Sequence, residues 1–148
     1  MADETPELSK LEAIEAKREA RKAELAKKYN EQRAIDLEAI DELEIEHGDS
    51  NIRVVDVPFT PGLPTCFAGK CPSPDLVKRY RTRVSPKKDG STDASPMAAA
   101  QEVGAACRVY PDAETWAKLL AARPGIDVQL GLEVLRLAAG RAQEEGKN

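Results

Sequence analysis

At 148 residues, with 32% charged and 4% aromatic side chains and a formal net charge of −4, the chain has room for one domain, or for one small domain with an appendage. Its longest uncharged run falls far short of the ~18 residues that a membrane-spanning helix needs, and no basic, apolar and small-residue pattern of an export signal opens it. We therefore expect a soluble, cytoplasmic protein with no membrane partner. The charge is unevenly spread: residues 1–47 hold 14 acidic and 8 basic side chains, leaving 12 and 14 for the rest, so an acidic front precedes a nearly neutral body.

Thr5-Pro6-Glu7 has the form of a helix start: a hydroxyl at the cap, a proline whose missing N–H costs nothing there, and a carboxylate near the positive end of the helix dipole. Neither glycine nor proline intervenes before His47-Gly48, and strong helix formers dominate, so residues 1–48 are expected as an acidic helical arm roughly 60 Å long. Ala13, Ala16, Ala20 and Ala23 follow a heptad spacing, and Leu37, Ile40 and Leu43 make a firmer apolar stripe near the end. The arm reads either as a solvated helix or as one strand of a coiled coil made with a partner. Asp41, Glu42, Glu44 and Glu46 crowd its negative end, which predicts fraying unless something basic docks there.

Ile52 to Val57 alternates and is rich in β-branched residues, the pattern of a strand. Pro58, Pro61, Gly62 and Pro64 make a turn-rich connection, and Thr65 to Lys70 returns as a short second strand. Two strands alone are marginal in water, so this hairpin has to lean on helices. Ser73-Pro74-Asp75 then opens a short helix, Leu76 to Val84, with Leu76 or Val77, Tyr80 and Val84 on its apolar side. Residues 49–84 thus form a β-hairpin plus a basic helix, and residues 85–95, SPKKDGSTDAS, form a polar linker.

Ser95-Pro96 starts a further helix, with Ala99, Val103, Ala106 and Tyr110 at helical spacing as far as Pro111. Asp112 caps Ala113 to Arg123, where Ala113, Trp116, Ala117 and Leu120 share one side. After Pro124-Gly125, Asp127 caps a last helix whose only polar stripe is Gln129, Glu133 and Arg136. A helix apolar around most of its circumference must be covered on two sides, and its alanine-rich neighbours offer little cover.

The expected fold is mainly α: a long solvated or coiled-coil N-terminal helix, a short β-hairpin, then a small helical module of about four helices, and residues 96–148 are assigned as that helical module. The surplus apolar face makes Trp116, Leu119, Leu120, Val128, Leu130, Leu132, Val134, Leu135 and Leu137 the candidate partner-binding residues. Lys78, Arg79, Arg81 and Arg83 form a second candidate docking face, for an acidic segment or a nucleic acid. The acidic total charge, and the single aromatic, Tyr80, able to stack a base there, argue against nucleic acid.

Catalytic chemistry finds no foothold. His47 is the only histidine and lies near no serine or cysteine, so no nucleophile is activated, and Gly62, Gly69 and Gly90 stand alone instead of forming a phosphate loop. Cys66 and Cys71 are spaced more widely than a zinc knuckle, and with Cys107 they make an odd set. We expect free thiols, no disulfide framework, no metal, no cofactor and no enzymatic activity.

The run Cys107-Arg108-Val109-Tyr110-Pro111-Asp112, then Trp116-Ala117-Lys118-Leu119-Leu120, then Pro124-Gly125 followed by Leu130, Val134, Leu135 and Leu137-Ala138-Ala139-Gly140, resembles the small tail assembly chaperones of long-tailed phages and phage-derived tail machines. Upstream, the strand, the proline-glycine loop and Pro72-Ser73-Pro74-Asp75 before Tyr80-Arg81 are similar to the N-terminal part of such proteins, so the likeness spans about residues 52–140. The resemblance implies a non-enzymatic helper in the cytoplasm of a bacterial host, absent from the finished particle. It would coat the apolar helices of the tape-measure protein until tail-tube subunits replace it, and would self-associate when alone. Such families commonly have short and frameshift-extended forms, and Gly146-Lys147-Asn148 is compatible with slippery adenine-rich codons. Two other readings stand beside it: a structural or scaffolding component of the particle using the long helix as a spacer, and a nucleic-acid-binding regulator acting through residues 76–84.

Overall fold

The computed structural model describes residues 6–146, so Thr5 of the expected cap, and Lys147 and Asn148 at the other end, lie outside the described residues. In chain order come α1 (Pro6–His47), a 3₁₀ turn (Asp49–Asn51), β1 (Ile52–Asp56), β2 (Cys66–Lys70), α2 (Pro74–Val84), α3 (Pro96–Cys107), β3 (Arg108–Tyr110), α4 (Ala113–Ala122) and α5 (Ile126–Gly146). The fold is mainly helical, with a long N-terminal helix ahead of a small antiparallel sheet and four further helices.

Local chemistry sets most boundaries. Ser73, Ser95 and Asp112 each stand in extended conformation and accept a hydrogen bond from the backbone N–H three residues on, at 3.2, 3.1 and 2.7 Å. Proline follows each serine at the first helical position. Gly48 ends α1 at φ +90°, its N–H donating to the Glu44 carbonyl at 2.7 Å. Asp127, expected as a cap, lies inside the first turn of α5, which begins at Ile126 after Gly125 at φ +95°.

The sheet has three strands in the order β1-β2-β3, and the third is a departure from the expected helix running to Tyr110. The residue before a proline is pushed out of helical conformation, and β2 offers an open edge to Arg108 and Tyr110, which pair with Gly69 and Ala68. The hairpin registers Ile52 on Lys70 and Asp56 on Cys66.

Alternation along β2 divides the core in two. Cys66 and Ala68 face α1, where they meet Ile40, with Ile52 of β1 in the same cluster. Phe67 points the other way, into a cluster of Val103, Cys107, Trp116, Leu119, Ile126, Leu130 and Val134. The sheet is therefore the middle layer between the C-terminal half of α1 and the helices α3, α4 and α5. The cluster around Phe67 draws on both the hairpin and the helices that follow the polar loop at 85–95, and residues 49–143 form the head against which α1 packs.

The α3–α5 contact explains how small residues cover a broadly apolar helix. A Cβ at Gly104 would collide with the Asp127 carbonyl oxygen, and one at Gly131 with the Ala100 carbonyl oxygen. The two backbones touch through these glycines, so alanine methyls on α3 reach α5 without a gap. On the sheet side, a Cβ at Gly69 would sit 2.8 Å from both Leu130 and Val134, so β2 also lies flush against α5.

Candidate functional site

Of the nine residues expected to bind a partner, four are interior. Leu130 and Val134 are 0% exposed, Leu119 1% and Trp116 5%. Trp116 meets Phe67 edge-on with ring centroids 5.5 Å apart, and the Arg108 guanidinium lies 5.7 Å from its ring centre. Leu120, Val128, Leu135 and Leu137 are half-buried, and only Leu132 is open, at 41%. Part of the expected surplus on α5 is covered by the sheet and by the glycine-mediated approach of α3, neither of which helix periodicity reveals.

The basic face of α2 is divided in use. Arg83 is paired with Glu102 of α3, while Lys78, Arg79 and Arg81 are exposed. Lys78 and Arg81 line a cleft between α2 and α5 together with Val77, Ala138 and Arg141, and Arg141 donates to Asn51. Tyr80 packs against the main core, which takes away the stacking platform that a nucleic-acid reading required.

A buried polar cluster that periodicity passed over fixes α1 to the head. Asp36 is fully buried and accepts hydrogen bonds from the Thr65 N–H at 2.7 Å, the Thr65 hydroxyl at 2.5 Å, the Tyr110 hydroxyl at 2.5 Å and the Gln32 amide at 2.9 Å. Arg33 extends the chain of donors, reaching Thr65 Oγ1 at 3.2 Å and Asp56 at 2.6 Å. The hydrogen bond to Asp56 raises the Arg33 pKa further, against partial desolvation. Burial, followed by its bond to Asp36, raises the Tyr110 phenol. Asp36 sits four residues before Ile40, on the face continued by Leu43 and His47, and that placement of a carboxylate on an apolar stripe was its only sequence signal. Leu37, expected on that stripe, is 47% exposed.

The acidic end of α1 is held by packing and by a cap. Ile40 and Leu43 pack on β1 and β2, and the Asn51 side chain donates to the His47 carbonyl at 2.6 Å, satisfying one of the helix's last acceptors.

Exposed apolar surface is concentrated elsewhere than expected. Of ten large apolar side chains open to solvent among the described residues, eight lie on α1: Leu8, Leu11, Ile14, Leu25, Tyr29, Ile35, Leu37 and Ile45. Residues 7–31 are exposed throughout. The Ala13 to Ala23 heptads lie on the opposite side of the helix from Asp36, at about 100° per residue.

All three cysteines are free, and burial pushes the thiols of Cys66 and Cys107 up to about 11. Among the described residues, no group of three or more His, Cys, Asp or Glu is placed to hold a metal ion, and no helix is long and apolar enough to cross a membrane. No known protein family, curated protein or solved structure matches the chain.

Proposed function

We propose that the protein is a non-enzymatic assembly chaperone of a tailed phage or phage-derived particle, holding apolar helical segments of a tape-measure protein in the host cytoplasm until tube subunits replace it. The observation that carries this reading is the concentration of exposed leucine, isoleucine and tyrosine side chains on α1, a single helix with a carboxylate-rich background. Apolar residues at helical spacing on an exposed helix form a surface for another helix, and surrounding charge keeps the unbound protein in solution. The resemblance over residues 52–140 supplies the class of target. The binding face thereby moves from the α5 residues, of which Leu130 and Val134 lie in the core, to α1, with Leu132 of α5 as an outlying contact.

Co-expression tests it. The full chain is expected to keep a tape-measure protein soluble and to co-purify with it, and to be missing from finished particles. An insoluble tape-measure protein in its presence overturns the reading. The length of α1, 42 residues or about 60 Å, favours one alternative, a structural spacer within the particle. Recovery of the chain in stoichiometric amounts from purified particles would establish that alternative instead.

A further inference from the structure

The face by which α1 binds the head continues past the point where the head covers it. At about 100° per residue, Leu11, Arg18, Leu25 and Tyr29 lie within roughly 20° of Asp36 around the helix, and Ile14 within roughly 40°. Leu11, Glu15, Arg18, Lys22, Leu25 and Tyr29 follow one another in alternating steps of four and three residues, the spacing of a coiled-coil stripe, with Ile14 beside it. Close to the head the seam is occupied: Asp36 and Ile40 are buried, and Tyr29 meets Phe59 edge-on at 5.5 Å. Towards the N-terminus Leu11 is 55%, Ile14 51% and Leu25 44% exposed.

We propose that a second copy of the chain covers this seam, α1 against α1 and antiparallel, in the register that sets Glu15 of each copy opposite Arg18 of the other. The proposal rests on reading α1 as an intermolecular face and names its occupant. Charge order selects the arrangement. Glu15, Arg18 and Lys22 interrupt the apolar residues at three successive seam positions. A parallel pair would stack each of them on its own copy, like charge on like charge three times over. The antiparallel pair makes the Glu15–Arg18 contact twice by two-fold symmetry, and lays the aliphatic stem of Lys22 along Leu11. Leu25 then faces Leu8 of the second copy, beside a hollow lined by Leu25, Lys28 and Pro61. The seam is continuous with one that the chain already uses on its own sheet, so the second helix extends an existing interface.

Sedimentation equilibrium on the full chain is expected to show a reversible dimer. Glu15→Arg or Arg18→Glu alone places like charges together in both symmetric layers, and each is expected to weaken the dimer about tenfold or more; the double exchange is expected to return it to within about threefold of the parent. Both positions are exposed in the single chain, so far-ultraviolet circular dichroism should be the same in all variants. Register is read by cross-linking in a Cys71→Ser background: chains carrying only Leu11→Cys should join chains carrying only Lys22→Cys, and neither should join itself. A monomer at every concentration, a double exchange that does not restore pairing, or self-linking of Leu11→Cys overturns the proposal. A monomer that still keeps a tape-measure protein soluble overturns the pairing and leaves the chaperone reading standing. A dimer with the expected charge dependence that leaves that protein insoluble supports the pairing and sinks the chaperone reading.

Discussion

Tyr110 donates its hydroxyl hydrogen to Asp36 at 2.5 Å, joining residues 74 positions apart. The same carboxylate takes both donors of Thr65, the residue that leads into β2, so one side chain of α1 binds the second and third strands of the sheet together. A carboxylate without exposure costs several kcal/mol in lost hydration, and four donors in hydrogen-bond range offset that cost.

Removing the carboxylate therefore strands its donors. Asp36→Ala leaves the Thr65 N–H and the Thr65 and Tyr110 hydroxyls without their acceptor, and is expected to cost about 3 kcal/mol. Asp36→Asn keeps the shape but points an amide N–H at other donors, so a similar loss is expected. Urea unfolding measures the stability, and amide exchange should show residues 32–47 opening first. A change under about 0.5 kcal/mol for both variants would contradict the role assigned to this cluster.

Two glycines of α5 should respond oppositely to alanine. At Gly131 the methyl would collide with the Ala100 carbonyl, forcing α3 and α5 apart at an expected cost of about 2–3 kcal/mol. At Gly140 nothing lies within 4 Å, so alanine should add about 0.5–1 kcal/mol through helix propensity. Thermal melts of the two single variants compare them directly.

The division between core and surface on α4 and α5 is open to the same kind of comparison. Trp116→Ala empties a site packed against Phe67 and is expected to destabilise the fold by about 3–5 kcal/mol. Leu132→Lys, at a half-open surface position, should change stability by less than about 0.5 kcal/mol. Tryptophan fluorescence during denaturant unfolding reports Trp116 in the parent and in Leu132→Lys; circular dichroism follows Trp116→Ala.

Alkaline pH should loosen the protein. Cys66 and Cys107 are raised from about 9 to about 11 by burial, and Tyr110 is raised by burial and by Asp36. Each holds its proton more tightly folded than unfolded, so its contribution to stability is complete below the unfolded value and is lost as pH rises through the folded one. Unfolding midpoints are expected to stay level up to about pH 8.5 and to fall between about pH 9 and 11. Replacing Cys66 and Cys107 by alanine or valine should flatten that decline.

Much of the element list was legible because it depends on neighbours in sequence. Ser73, Ser95 and Asp112 hold helix starts through bonds spanning three residues, Gly48 stops α1 by its own conformation, and the alternation in Ile52 to Asp56 is that of a half-buried strand. The exposed helix of residues 7–31 was likewise readable from propensity and the absence of glycine and proline.

The third strand and the location of open apolar surface were not readable this way. Arg108 to Tyr110 joins the sheet because β2, about forty residues earlier, presents a free edge. One side of the last helix packs closely into the core because Gly104 and Gly131 allow two backbones to touch, although an isolated helical glycine, readable in itself, does not say which partner it approaches. The sequence by itself determined the helix starts at Ser73, Ser95 and Asp112, the stop at Gly48, and which helix is long and charged, since those depend on bonds within a few residues. Only the tertiary structure decided that Trp116, Leu130 and Val134 are interior, that Asp36 is the anchor of α1, and that most of the large apolar side chains open to solvent among the described residues lie on the N-terminal helix, because burial depends on contacts between residues distant in the chain.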